Sequence, residues 1–253
     1  RDLSPFGAER AHLEAEASKL AYSFRNQFIG DPEFSEELVH KFLSDENAFN
    51  LAKLIDRKRV RHSQQKRSEE VHTDTILITV VDKDRSAISL IFSIFHPFGS
   101  GLASEKFGLL FHNRGAGFTL KQNHPNSLLG NKRPMHTIIP AMAQENGKFF
   151  LCFGVMGGQY QPVGHMRILS NLVDYGMDLQ EAIDGPRAFA EDGVLKIEDG
   201  YNSKIAKSLQ AFGHQVIRAS APLGGAQAIL VDSINGTLLG ASDPRKDGLA
   251  IGY

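Results

Sequence analysis

The chain has 253 residues, 42% of them hydrophobic and 23% charged, with a formal net charge of -1. That composition supports a buried core in one large or two small domains and excludes an electrostatic pull on nucleic acid or acidic membranes. A single cysteine, Cys152, excludes an internal disulfide, and no apolar run approaches the ~20 residues of a membrane-spanning helix.

In chain order, the first segment is helical. Leu13, Ala17, Leu20, Ala21, Phe24 and Phe28 recur at three- and four-residue steps and predict one apolar helix face. Gly30-Asp31-Pro32 ends that helix. Ser35, followed by Glu36 and Glu37, reads as an N-cap for a helix through Leu38, Phe42 and Leu43. A further short helix is predicted over Ala48 to Ile55. From Arg57 to Asp74 only Val60 and Val71 are strongly apolar, and six Lys and Arg side chains add charge without interleaved aromatics. This run reads as a solvated, cleavable linker.

The remainder is strand-rich. Thr75–Val81 and Ala87–Phe95 are β-branched and aromatic runs joined by Asp82-Lys83-Asp84-Arg85, a hairpin pattern. Further strands are predicted at Leu109–His112, Phe149–Val155, Val194–Ile197, Gln215–Arg218, Ala228–Asp232 and Leu238–Gly240, with helices near Pro162–Tyr175 and Ser203–Phe212. Many strands with a few helices predict an α+β or layered αββα domain. Cys152, inside Lys148–Phe153, reads as a buried and inert thiol. The ten histidines are scattered, with no pair at ligand spacing, so no metal site is expected, and no cofactor motif is present. Gly224-Gly225 is followed by Ala226 and Gln227 and lacks the Lys-Ser/Thr of a phosphate loop.

Thr75 stands where the charged linker meets the strand-rich segment. Cleavage of the Asp74–Thr75 bond would place a hydroxyl nucleophile and an α-amine base in one residue, a known way to activate a weak hydroxyl. A plain strand-opening threonine has the same local appearance.

Phe98-Gly99-Ser100-Gly101, Lys132-Arg133-Pro134, Met156-Gly157-Gly158, Pro186-Arg187 and Asp243-Pro244-Arg245…Gly252-Tyr253 stand in the order found in gamma-glutamyltranspeptidases. The resemblance runs from about Glu14 to the last residue. It implies an α+β fold, the four-layer αββα sandwich of N-terminal-nucleophile hydrolases. On that frame, residues 1–74 are the tail of a large subunit and residues 75–253 a small catalytic subunit. The family's threonine lies seven residues ahead of the aspartate of Val-Val-Asp, which selects Thr75 over Thr73. The resemblance makes Gly157 and Gly158 the oxyanion donors and Ser93 a supporting hydroxyl. It also implies a missing large-subunit segment as partner and a heterodimer after self-cleavage.

The substrate motifs depart from the glutamyl pattern. The aspartate that holds an α-ammonium group is Gly117 here, and the paired serines after Lys-Arg-Pro are His136 and Thr137. A buried ammonium without its counter-ion is costly. Asn113-Arg114-Gly115 with Met135-His136-Thr137 resembles the branch containing oxamate amidohydrolase. There Arg114 would grip a carboxylate, helped by Asn113, His136 and Thr137. Arg114 as a structural ion-pair residue is an equal alternative. Gln159 and His165 read as packing or orienting residues, and Asp243-Pro244-Arg245 as an ion-paired structural turn. Glutathione-like gamma-glutamyl compounds are the second substrate reading. An uncleaved, catalytically silent assembly subunit is the reading from another class. A cytoplasmic setting is expected, with any N-terminal signal lying outside the chain.

Overall fold

A computed structural model describes residues 3–34, 36–61 and 75–252. The expected N-cap Ser35, the cleavage-site residue Asp74 and its neighbour Thr73 lie outside the described residues. The elements in order are helices α1 (Ala8–Phe28), α2 (Glu36–Phe42) and α3 (Asp45–Ala52), followed by strands β1 (Thr75–Val81), β2 (Ala87–Ser93), β3 (Ala103–Ser104), β4 (Leu109–Leu110), β5 (Pro140–Glu145) and β6 (Lys148–Met156). Next come α4 (Gln161–Val173), α5 (Leu179–Asp184), β7 (Ala188–Glu191), β8 (Val194–Ile197), α6 (Ser203–Ala211), β9 (Val216–Arg218), β10 (Gly225–Asp232) and β11 (Thr237–Ser242).

The central sheet has the order β11-β10-β6-β5, all antiparallel. Its core is Leu151, Phe153, Val155, Ala226 and Ala228, under α4 and α5 residues Val163, Ile168, Leu179 and Ile183. On its opposite face lies the β1–β2 hairpin, through Leu77 and Ile91 against Met156. Gly154 makes this approach possible, because a Cβ there would stand 2.9 Å from Leu77 Cδ2. Ser89 Oγ donates to the Phe153 carbonyl at 3.0 Å, a bond between the two layers. The sheet β7-β8-β9 packs with α1 and α6 around Ala11, Ala15, Leu195, Ile197 and Leu209.

The hairpin is apolar on both faces. Thr75, Leu77, Thr79 and Val81 point inward, whereas Ile76, Ile78 and Val80 alternate outward opposite Phe92, Leu90 and Ile88. Those six outward side chains are each between 45% and 58% exposed. A strand that is hydrophobic on both faces belongs between two layers.

Several sequence expectations need correction. The buried face of α1 is not Leu13-Ala17-Leu20-Ala21-Phe24-Phe28, since Ala17 and Ala21 are exposed; it is Arg10, Ala11, His12, Ala15, Glu16, Ser18 and Tyr22. Ion pairing inverts the hydrophobic rule. Arg10 bonds Glu14 at 2.7 Å, and Glu14 also accepts from buried Arg167. Ala11 and Ala15 meanwhile let α1 approach the small sheet closely. The third helix begins at Asp45, capped by Ser44 Oγ accepting from the Asn47 amide, three residues before its expected start. The Leu109–His112 strand shrinks to two residues, and β5, β7 and α5 were not foreseen. The first part of the expected linker is also pinned: the Val60 amide donates to Phe212 at 2.8 Å and the Arg61 amide to Glu16 at 2.9 Å.

Candidate active site

Thr75 opens β1 directly opposite Ser93, the last residue of β2. Both face inward, toward the end of β6, where the chain leaves the sheet through Met156-Gly157-Gly158. Gly157 has φ 128 and Gly158 φ 55, conformations that glycine adopts without steric cost. A Cβ on Gly157 would stand 2.7 Å from the Gly224 Cα, so two backbone turns are stacked here. The turn's own bonds run from the Tyr160 amide to the Gly157 carbonyl and from the Gln161 amide to the Gly158 carbonyl. The amides of Gly157 and Gly158 precede those bonds, at the turn's start, where backbone N–H groups have no partner within the turn.

Thr75, Ser93 and Gly157 line one cavity of about 800 Å³, together with Met156, Gln159, Tyr160 and Phe189. Lys196, Ser220, Leu223, Gly224 and Lys246 also line it. The Thr75 hydroxyl oxygen is buried without a hydrogen-bond partner among the described residues. Ser93 Oγ accepts from the Phe95 amide at 3.0 Å, fixing the strand exit beside the threonine. Glu191 and Lys196 pair at 3.0 Å across the cavity wall. Burial pushes the Tyr160 hydroxyl well above the usual phenol range, so it stays protonated.

The helix that precedes Thr75 in sequence supports the glycine turn. Tyr22 on α1 donates its O–H to the Gln159 carbonyl, and Arg25 Nη1 donates to Gln159 Oε1 at 2.6 Å. The Arg25 guanidinium lies 4.2 Å above the Tyr22 ring. Gln159 therefore orients, as its sequence position suggests. His165 is buried, with Nδ1 donating to the Gln161 carbonyl at 2.6 Å, and burial lowers its pKa. It does not line the cavity.

The residues expected to bind substrate form a neighbouring cluster and are not part of the Thr75 cavity lining. The Asn113 amide donates to Ile94 at 3.2 Å, and its side chain pairs with His96, so the loop is tied to the strand exit just after Ser93. Arg114 is 5% exposed, 4.8 Å above the Phe95 ring, and donates from Nη1 to Thr137 Oγ1 at 3.2 Å. Its Nη2 has no partner among the described residues, and burial lowers its pKa. His136 is exposed and donates to the Pro134 carbonyl at 2.8 Å. Arg133 of the Lys-Arg-Pro motif reaches buried Asp31, which accepts from the Arg133 amide at 2.9 Å. That bond and the guanidinium hold the Asp31 carboxyl below its usual range.

Sequence reading missed Tyr160, Ser220, Lys246 and the Leu223-Gly224 wall. The one signal for them was the Gly224-Gly225 pair, whose meaning depends on Gly157 lying against it. The expectation that no histidine pair lies at ligand spacing is corrected: His12 and His214, 202 residues apart, lie 2.8 Å apart next to Glu16. Burial, then the charges of Lys19 and His12, push His214 down to about 3. Cys152 is buried, and burial pushes its thiol up, in keeping with an inert role. Asp243 and Arg245 are an ion-paired turn as expected, with Arg245 also bonded to Glu198 at 2.7 Å.

The family model described as gamma-glutamyltranspeptidase matches residues 2–253. The glutathione hydrolase-like YwrD proenzyme of Bacillus subtilis is 35% identical, over 96% of this chain and 47% of that protein. The oxamate amidohydrolase proenzyme of Klebsiella pneumoniae is 34% identical, over 97% of this chain and 48% of that protein. The crystal structure of cephalosporin acylase from Bacillus halodurans has a TM-score of 0.87 to this chain at 31% identity, over 97% of this chain and 46% of that one. The chain thus spans about half the length of these proteins.

Proposed function

The chain belongs to the gamma-glutamyltranspeptidase family, with the layered α+β fold of N-terminal-nucleophile hydrolases, and from that premise we propose that it is the nucleophile-bearing half of a self-processing threonine amidohydrolase. The observation that carries this reading is the Thr75 hydroxyl: inward-facing, buried and without a partner among the described residues, in one cavity with Ser93 and Gly157.

The chemistry proceeds in two stages. Thr75 Oγ attacks the Asp74 carbonyl carbon, the C–N bond breaks, and the nitrogen takes the hydroxyl proton. Water then hydrolyses the ester, leaving a carboxylate on Asp74 and a free amine on Thr75. With a reference pKa of ~7.7–8.0, that amine is matched to accept the proton of its own hydroxyl. Attack on a substrate amide gives a tetrahedral oxyanion, for which the Gly157 and Gly158 amides are the donors. Collapse releases the amine product with its proton and leaves an acyl-threonine, which water or an acceptor amine resolves.

A small amide bearing a carboxylate, oxamate-like, fits the site better than a zwitterionic glutamyl group. Next to the Thr75 cavity, Arg114 has an Nη2 without a partner among the described residues, beside Thr137, and Gly117 provides no counter-ion for an ammonium. The Klebsiella relative is named for that chemistry, whereas the Bacillus relative is named for glutathione hydrolysis. The partner is a large-subunit segment preceding this chain. It would cover the outward Ile76, Ile78, Val80, Ile88, Leu90 and Phe92 of the hairpin, each worth roughly 1 kcal/mol for the remaining half of its surface.

The test is intact mass spectrometry of the protein expressed with its native upstream sequence, followed by turnover of oxamate and gamma-glutamyl amides. Two chains, one beginning at Thr75, are expected; a chain that stays uncut on long incubation supports the silent-subunit reading instead. Arg114→Lys should raise KM for the carboxylated amide while cleavage proceeds. An unchanged KM removes Arg114 from the site.

A further inference from the structure

His12, Glu16 and His214 are all buried and offer one ligand atom each within 4.8 Å of one another. They come from both sides of Thr75: His12 and Glu16 from α1, His214 from the loop between α6 and β9. The His12 ring is oriented as metal-bound imidazoles are. Its Nε2–H donates to the Asp56 carbonyl at 2.8 Å, which leaves the Nδ1 lone pair facing His214 Nε2 at 2.8 Å. A backbone carbonyl on the remote nitrogen is the usual support for a histidine ligand.

We propose that His12, Glu16 and His214 form a zinc-class divalent cation site that staples α1 to the segment following Thr75. Two imidazoles and a carboxylate are a donor set that suits Zn²⁺, with a fourth position left for water. With bonds near ~2.1 Å, a tetrahedral ion separates its ligands by about 3.4 Å. The histidine pair therefore opens slightly from 2.8 Å, and the carboxylate closes from within 4.8 Å, by up to about 1.4 Å. His214 moves its Nε2 proton to Nδ1, so both imidazoles remain neutral on binding.

The other polar partners define the competition. Glu16 Oε1 accepts from Lys19 Nζ at 2.6 Å and Oε2 from the Arg61 amide at 2.9 Å. The Arg61 contact leaves Glu16 lone pairs for an ion and fixes its orientation. Lys19 is the rival cation, with its side chain 14% exposed. The Phe212 ring packs edge-on against His12, with ring centres 5.2 Å apart.

The metal-binding step stands apart from the proposed cleavage; only the stapling of two separate chains rests on it. The full-length protein and its uncut Thr75→Ala variant are each stripped with chelator, loaded with Zn²⁺, dialysed, and assayed for metal content and thermal unfolding. One retained Zn²⁺ per chain is expected in both, with a raised unfolding temperature. His214→Gln and Glu16→Gln should each lose the ion. Lys19→Ala, which removes the competitor and leaves the ligands intact, should tighten Zn²⁺ binding by at least about tenfold. No retained metal in the folded wild type and in Lys19→Ala overturns the site, as does retention undiminished in His214→Gln. Retention in the uncut variant but easy parting of the cleaved chains in metal would overturn the stapling role alone.

Discussion

Removing the Asp243 carboxylate should be among the most damaging single changes in this protein. Its side chain is fully buried and carries four bonds: Oδ2 accepts from Arg187 Nη2 at 2.6 Å and the Ala226 amide at 2.8 Å, and Oδ1 from the Arg245 amide at 3.0 Å and Nη1 at 3.2 Å. In Asp243→Ala, the Arg187 guanidinium, 2% exposed, is left among the described residues with two neutral acceptors, the Leu223 carbonyl at 2.9 Å and the Ile183 carbonyl at 3.2 Å. A buried cation stripped of its partner costs about 3–5 kcal/mol. That is a large part of the roughly 5–15 kcal/mol that holds a domain folded. Asp243→Asn, which preserves shape and an acceptor, should lose about 1.5–3 kcal/mol. Urea unfolding of the full-length protein, carried in a Thr75→Ala background so that processing does not intervene, measures both. The partner variant Arg187→Met should lessen the damage when combined with Asp243→Ala, because no unpaired charge remains. A loss below about 1 kcal/mol for Asp243→Ala, or strictly additive effects in the double variant, would refute the reasoning.

Gly157→Ala forces φ 128 on a residue with a Cβ and drives that Cβ to 2.7 Å from Gly224 Cα. Cleavage and turnover should each fall about 100-fold or more as the donors move, read by mass spectrometry and amide hydrolysis, and thermal stability should fall as well, because the new Cβ meets backbone. Tyr22→Phe deletes the bond to the Gln159 carbonyl and should cost about 1 kcal/mol of stability; unchanged urea midpoints would remove that bond from the account. Asp31 sits below its ordinary value of 3.8 because Arg133 donates to it. A depressed folded-state pKa gives stability that is present above 3.8 and lost as pH falls through the folded value. Asp31→Asn should therefore be less stable than the parent at pH 7, with the gap closing below pH 3.8; a gap independent of pH would contradict the linkage.

The sequence by itself determined the local frame. Alternating β-branched residues placed the β1–β2 hairpin, and Asp82 through Arg85 its turn, because strand pairing across a short loop is a local property. The ordered motifs indicated the family, and the resemblance, through its spacing to Asp82, pointed to Thr75 rather than Thr73. Ser93 was named from the family resemblance alone; that it stands opposite Thr75 comes from the strand register. The tertiary structure decided what depends on contacts between distant segments. The true buried face of α1 is set by Glu14 meeting Arg167, a charge pair that no periodicity rule reports. Gly157 became part of a rigid cavity wall only because Gly224 stacks upon it, and Lys246 joined the cavity from the far end of the chain. His12 and His214 appear as isolated histidines in the sequence, separated by 202 positions. Folding brings their rings into contact because Ala11 and Ala15 let α1 lie close on the small sheet, with α6 packed beside it.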